Sequence, residues 1–299
     1  NREEHISRSL GSIARQSFRD YEVIVVDNAS TDGTVEIVRS FDGQFDMVVL
    51  VNDSNRERSY SRNRGAEQST GRFVVFLDSD DELRTDSLEC AAAFVGAGSN
   101  SGIFFQTKIC IDELGATVYE PEVRLSQGMR RILAEGNPLG CSGVFVERSL
   151  ILEYRFDEAP ELVGSEDWHC WIRIAVEHEP ALCPGGGAFV VEHPLRTLSS
   201  DSWQDAEKRF AYLTADILAN PATLSYLTPH LGLFRASQAH YVAVKAAGQS
   251  ATCVSIARFG RAIRHHPGLL FSRRTLHLFR LWIKCVLGAI GIGRTVSTR

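Results

Sequence analysis

The chain has 299 residues, 44% hydrophobic and 23% charged. That ordinary globular composition argues against a disordered protein and allows one large domain or two modest ones. The seven cysteines are odd in number and scattered with no C-x-x-C pair, which argues against a disulfide scaffold or a zinc site and for reduced thiols in a cytosolic setting. The net charge of −5 hides an asymmetry: residues 1 to 216 carry all 37 acids against 21 Lys and Arg, while the last 83 residues carry 11 basic residues and no acid. Such a tail calls for an anionic partner, either a membrane surface or the acidic body of the protein.

The sequence opens without an initiator Met on a helix-like segment, NREEHISRSLGSIARQSF, so an upstream segment is expected. YEVIVVD (21–27), MVVLVN (47–52) and RFVVFLD (72–78) are near-continuous apolar runs, as in parallel strands buried on both faces. TDGTVEIVRSF and SYSRNRGAEQSTG lie between them and suit crossover helices, so βαβ units and an open, mainly parallel sheet are expected. TDSLECAAAFVGAG follows as a helix with Thr85 at its N-cap, then GIFFQTKICI as a further strand. From 112 to 200 the periodicity loosens into short strands such as CSGVFVE and GAFVVEH. One helix there is clear, SEDWHCWIRIAVEH, capped by Ser165 with Trp168, Trp171, Ile172 and Ala175 on one apolar face. Beyond about 202 the pattern is helical. The longest apolar run, Cys285 to Gly293, falls short of the roughly 20 residues of a spanning helix, so a soluble or at most peripheral protein is expected.

Asp27 and Asp78 each end a strand-like run, and ligands of open α/β sheets bind at strand carboxyl ends. In RFVVFLDSDDELR, Asp78 and Asp80 face the same way as the strand unwinds, so this D-x-D can hold Mg²⁺ or Mn²⁺ against a diphosphate. A solvated acidic turn accounts for it equally well. VVDNASTDGT is mostly turn and N-cap chemistry, with Asp27 placed to accept hydrogen bonds from a base or ribose. Arg62 and Arg64 suit phosphate oxygens, though surface helices also carry arginine for solubility. Glu166 and Asp167 occupy a helix first turn, where the macrodipole favours the ionised carboxylate that a general base requires; the same acids are also a common helix-start signal. His169 and His193 are ambiguous between ligand and ordinary core or surface histidine.

Together these pieces resemble glycosyltransferase family 2, whose members have the GT-A nucleotide-sugar-binding fold. The matching stretches are SLGSIARQSFRDYEVIVVDNASTDGT, SYSRNRGAEQSTGRFVVFLDSDDEL, NPLGCSGVFVERSLI and FDEAPELVGSEDWHCWIRIA, in family order over about residues 5 to 200. The resemblance implies an α/β fold with an open mixed, mainly parallel sheet flanked by helices. Its catalytic domain would span 1–200, with a nucleotide half to about 111 and an acceptor half over 112–200, ahead of a basic helical region over 201–299. It further implies inverting, metal-dependent transfer from a nucleotide-diphosphate sugar, foremost a UDP-sugar, to a hydroxyl of a glycan, polysaccharide or lipid-linked acceptor. The setting would be the cytoplasm or the inner face of the membrane, with Mg²⁺ or Mn²⁺ as cofactor.

By the same resemblance Asp27 contacts the nucleotide base. Arg62 falls on the nucleotide-side arginine of an A-R-N motif, with Ser61 in place of the usual residue before it. Asp80 is the metal ligand, Asp78 reaches ribose or a metal-bound water, and Asp167, second acid of the E-D pair, is the catalytic base. Glu166, His193 and Arg196 are supporting or acceptor-side candidates. Two features depart from the family pattern. Members ordinarily begin with an apolar strand ending in a Pro-Thr-Tyr-Asn-like turn, and this sequence starts past it at Asn1, so an interior strand is expected to be missing from the sheet. Many also carry a histidine shortly after an arginine beyond the E-D helix; HPLRTLSS offers Arg196 followed by Leu198, with His193 upstream, and assigns no histidine ligand.

In the tail, RRTLHLFRLWIKCVLGAIGIG sets Leu276, Phe279, Ile283, Val286 and Ile290 near helical spacing with Arg280 and Lys284 to one side. That pattern fits an interfacial helix and, as readily, a helix packed with its basic face on the acidic domain. A nucleotidyltransferase of related fold and a non-catalytic nucleotide-sugar or glycan-binding module are the alternatives. No basic patch interleaved with aromatics points to nucleic acid.

Overall fold

The apolar runs form strands where β-branched residues cluster, and the polar stretches between them supply helices. The computed structural model describes residues 1–193 and 201–289. After helix α1 (Ile6–Ala14), strand β1 (Glu22–Asp27), helix α2 (Thr34–Arg39) and strand β2 (Asp46–Val51) make one βαβ unit. Its strands pair in parallel, from Glu22 opposite Asp46 to Asp27 opposite Val51. Ile6, Leu10, Val23 and Val38 close a small core over it. Helix α3 (Glu57–Gln68) leads to β3 (Phe73–Val75), the loop at 78–81 and β4 (Glu82–Leu83).

Helix α4 (Ser87–Gly96) begins with Asp86, not Thr85, at its N-cap position, and no side chain there caps it. The single strand expected from GIFFQTKICI divides into β5 (Ile103–Phe105) and β6 (Lys108–Ile111), which belong to different sheets. The break is built by Gln106, 2% exposed. Its amide donates to the Ser87 carbonyl at 2.8 Å and accepts from the Ser87 hydroxyl, while its backbone N–H bonds Gly143 O at 3.0 Å. A buried amide satisfied sideways turns the chain out of one ladder and into the next.

The chain continues through β7 (Thr117–Tyr119), α5 (Met129–Glu135), β8 (Val144–Glu147), α6 (Arg148–Tyr154), α7 (Glu166–Ala175), β9 (Ala181–Leu182) and β10 (Ala188–Val191). One sheet orders β3-β8-β5-β9 and another β4-β10-β6-β7. The sheets are mixed: β5 with β9 and β6 with β10 run parallel, whereas β8 runs antiparallel to both its neighbours, as do β4 to β10 and β7 to β6. Phe104 and Phe145 stack at 5.0 Å in the core of the first sheet, with Phe73 and Phe94 against Phe104. Helix α7 turns Trp168, Trp171, Ile172 and Ala175 inward, all buried, although the Ser165 side chain makes no cap bond. Just before β10, Gly187 has φ +130°, and a Cβ there would strike the Thr107 carbonyl, so glycine is what lets β10 pass the break at 106–107.

Two compact units result, one from Asn1–Ile132 and the chain from Asn137 to His193, the other from Leu133–Gly136 and the helices after residue 200. The second holds α8 (Trp203–Ala219), α9 (Pro221–Leu227), α10 (Leu231–Gly248), α11 (Thr252–His265) and α12 (Arg273–Ala289). Ser202 and Asp205 form a reciprocal capping box at the start of α8. Small residues let helices approach: Ala236, Ala239 and Ala262 make one cluster with Leu269, and Ala243 and Ala247 another with Phe259 and Leu278. No described helix is long and apolar enough to cross a membrane.

Candidate active site

The acids of 78–82 have mutual repulsion to overcome, and each acquires its own partner. Asp78 Oδ1 pairs with Arg62 Nη2 at 2.7 Å. Asp80 Oδ2 lies 3.0 Å from His193 Nε2, whose ring stands 4.7 Å from that of His5. Asp81, only 2% exposed, accepts from Ser142 Oγ at 2.7 Å and from the Val191 N–H at 3.2 Å. Glu82 bonds Arg8 and Arg15 of α1. Arg2 Nε donates to Ser79 Oγ at 3.2 Å.

Asp81 and Ser142 were not among the residues expected from the sequence, and together they assemble the site. Ser142 Oγ, besides donating to Asp81, accepts from the Asp78 N–H at 3.3 Å. The loop after β3, the approach to β8 and the end of β10 are thereby tied at one buried point. His193 lies two residues past the Val191 tie, which explains how it meets Asp80 from the far end of the chain. The burial signature of Asp81 is invisible in an exposed-looking D-S-D-D run; only the strand registers bring its partners to it.

Arg62 is the second organiser. Helix α3 sets Arg58 and Arg62 one turn apart on one face. Arg62 Nη1 bonds Glu166 Oε1 at 2.7 Å, and Arg58 Nε approaches the same oxygen at 3.8 Å. Arg62 therefore bridges Asp78 at the end of β3 to Glu166 at the start of α7. Its guanidinium lies 5.4 Å from the Phe156 ring centroid, above an edge-on cluster of Phe156, Phe76 and Trp171. Burial opposes its charge, but Cys141 and the carboxylates of Asp78, Glu166 and Asp167 together more than offset this and raise its pKa. Asn63, the next residue, locks the helix by donating to Phe156 O and Glu158 Oε1 and accepting from the Phe156 N–H, each at 2.9 Å. Arg64 faces elsewhere, donating to Val51 O and Asn52 Oδ1.

The two acids of α7 are thus unlike. Glu166 is 3% exposed and consumed: besides Arg62 it accepts the Gly164 N–H at 2.6 Å. Asp167 is half-buried, and among the described residues its carboxylate is met only by the Trp168 N–H, at 2.8 Å. Its pKa is raised, first by burial and then by the negative charge of Glu166, with Arg62 partly compensating. A carboxylate whose proton affinity is raised, held beside one already neutralised by arginine, can accept a proton from a bound hydroxyl.

At the end of β1, Asp27 is buried and accepts the Ser30 N–H at 2.9 Å, holding a turn in which Ala29 takes φ +58°. The facing polar network runs from Asn28 through Asn52 to Ser61 and Arg64. Hydrogen bonds join Arg62, Asp78 and Glu166 in one chain and Asp80 with His193 in another. Arg196 lies outside the described residues. His169 is buried within α7, with its imidazole near the Asp157 carboxylate. Asp80 and His193, 3.0 Å apart, offer an oxygen and an imidazole nitrogen, ligand types that suit Mn²⁺.

Among known proteins, the chain is 24% identical over 235 residues, 77% of its own length and 88% of the relative's, to the UDP-Glc:alpha-D-GlcNAc-diphosphoundecaprenol beta-1,3-glucosyltransferase WfgD of Escherichia coli. Residues 1–349 of S. aureus TarS, solved with UDP-GlcNAc, superpose with a TM-score of 0.60 at 20% identity, over 89% of this chain and 88% of that one. The mannosyltransferase PcManGT of Pyrobaculum calidifontis, solved with GDP-Man and Mn²⁺, does so with a TM-score of 0.58 at 21% identity, over 96% and 85%. These likenesses show the GT-A fold. Residues 1–153 match the family described as Glycosyl transferase family 2, and the chain, in agreement with its ordered motifs, belongs to glycosyltransferase family 2.

Proposed function

We propose that the protein transfers a sugar, with inversion, from a nucleotide-diphosphate donor to an acceptor hydroxyl, with Asp167 as the base. The observation that carries this reading is the division of labour in α7: Arg62 neutralises Glu166, while Asp167 keeps a carboxylate of raised proton affinity that accepts its hydrogen bond from the Trp168 N–H. The acceptor O–H proton passes to an Asp167 oxygen. The acceptor oxygen then bonds the anomeric carbon from the face opposite the donor diphosphate, and the C–O bond to the diphosphate breaks with its electron pair, which inverts the carbon.

Asp80, with His193 against it, is the residue to hold Mg²⁺ or Mn²⁺, and Asp78 serves ribose or the ion's water. Such an ion, when bound, supplies positive charge against the departing diphosphate. Asp27 accepts from the base, and Arg62 holds Asp78 and Glu166 in place on the nucleotide side. The donors named for TarS and PcManGT, UDP-GlcNAc and GDP-Man, support a nucleotide sugar and differ in base; a UDP-sugar is the first to test. The acceptor named for WfgD supports a lipid-linked hydroxyl in envelope-glycan synthesis. Seven scattered cysteines, an odd number with no C-x-x-C pair, fit the reducing cytoplasm.

Thermal shifts with UDP-, GDP- and TDP-sugars, each with and without Mn²⁺, test this reading. Stabilisation requiring both the ion and one nucleotide, and lost in Asp80→Asn, is expected. Equal stabilisation of Asp80→Asn would overturn the ion's placement. Release of pyrophosphate in place of nucleoside diphosphate would mean nucleotidyl transfer instead.

A further inference from the structure

Helix α12 buries one side and leaves the other bare. Thr275 and Leu278 are fully buried, and Leu281, Trp282 and Cys285 are partly covered, Leu278 being seated on Ala243, Ala247 and Phe259. On the opposite side Leu276 and Ile283 are 57% and 58% exposed, and Phe279, which packs edge-on against Phe259 and Trp282, is 37% exposed. Their spacing of three and four residues makes one apolar strip along the axis. Just before the helix, Phe271 is 92% exposed.

A second strip lies beside the first. Arg273, Arg280 and Lys284, spaced by seven and four residues, are all exposed, and among the described residues none of them pairs with an acid. Residues after Asp216 contain no Asp or Glu at all. The acids of the helical unit are engaged elsewhere: Asp201 takes Arg209 and Lys245, and Glu207 takes Arg258.

We infer that this face of α12 docks the protein on an anionic lipid surface, with Leu276, Phe279, Ile283 and Phe271 entering the acyl boundary and Arg273, Arg280 and Lys284 meeting headgroup phosphates. An apolar strip flanked by cations, on a helix too polar to span, is what an interfacial helix requires. A second copy is the weaker occupant on charge grounds. Two-fold pairing of this face would set three cations against three cations without an acid between them.

The test uses the full chain in flotation with phosphatidylcholine vesicles, alone or with about 30% phosphatidylglycerol. Flotation with the anionic vesicles only is expected, reduced by salt of about 0.5 M. Binding should weaken about ten-fold or more in Leu276→Glu/Ile283→Glu, and also in Arg280→Ala/Lys284→Ala. These positions are exposed, so far-UV circular dichroism should match the parent's and separate lost docking from lost folding. No flotation by the parent, or undiminished flotation by both variants, overturns the proposal. So does a concentration-dependent dimer in sedimentation velocity that Leu276→Glu/Ile283→Glu dissociates while vesicles bind nothing, which would assign the face to self-association.

Discussion

The two units handle charge in opposite ways. In the sheet unit, acids at strand and helix ends are drawn inward and matched one by one with Arg62, His193, Ser142 and Arg8. In the helical unit Asp201 and Glu207 hold Arg209, Lys245 and Arg258, but Arg273, Arg280 and Lys284 are left on the surface, and His240, 4% exposed, is held neutral. Where charge is matched inside, a site can be pre-organised, because a paired ion has one geometry; where it is left outside, a surface is prepared for an external counter-ion. The contrast teaches that an overall charge of −5 says little about either region.

The largest expected effect separates two neighbouring acids. Asp167→Asn should reduce transfer by about a hundred- to ten-thousand-fold in a steady-state assay while the melting temperature holds, since the change removes a charge that burial disfavours. Undiminished turnover would remove Asp167 from the chemistry. In the parent enzyme, the raised Asp167 pKa places the acid limb of the rate profile above the ordinary carboxylate range. Activity is complete above that pKa and vanishes as pH falls through it and the base is protonated.

Arg62→Ala should do the reverse, striking the fold first. It leaves Glu166 buried without its cation, a loss of about 3–5 kcal/mol, read in urea unfolding. Changing Arg62 and Glu166 together to Met should recover much of it; no recovery would show that matched charge is not what organises the sheet unit.

A smaller effect probes the helical unit. Burial, with Arg274 and His277 nearby, lowers the His240 pKa from 6.5 to about 4. The folded state binds the proton less readily than the unfolded one, so this contribution to stability is fully present above pH 6.5. It is lost progressively as pH falls to about 4, by up to about 3 kcal/mol. Melting curves of His240→Phe and the parent should therefore diverge between pH 7 and 5. A constant gap would mean that the histidine is not held neutral.

The smallest effect lies at the turn after β1. Ala29→Gly relieves a left-handed residue, and the relief, about 1 kcal/mol, is largely offset by glycine's greater freedom when unfolded. A shift in melting temperature near the limit of detection is expected.

Much of this was legible beforehand. The β1 and β2 runs and the α7 face followed from β-branched content and helical period, which are local properties. What escaped was set by contacts distant in sequence. Asp81 resembled a loop acid because its partners, Ser142 and the Val191 N–H, are 61 and 110 residues away. Asn63 looked like part of a polar helix because the segment it locks, 156–158, comes long after it. Glu166 and Asp167 were indistinguishable as sequence neighbours; the reach of Arg62 distinguishes them. GIFFQTKICI reads as one strand because nothing in ten residues of apolar pattern reveals that Gln106 is satisfied from the side.

That last feature has a mechanical meaning. β5 and β6 are consecutive lengths of one run yet serve separate sheets, so residues 106 and 107 act as an axle between them. With the Gln106 amide clamped to Ser87 and Gly187 admitting no side chain beside Thr107, the axle has no play. The strand that leads into the Asp78 loop and the strand that leads to His193 are therefore geared together.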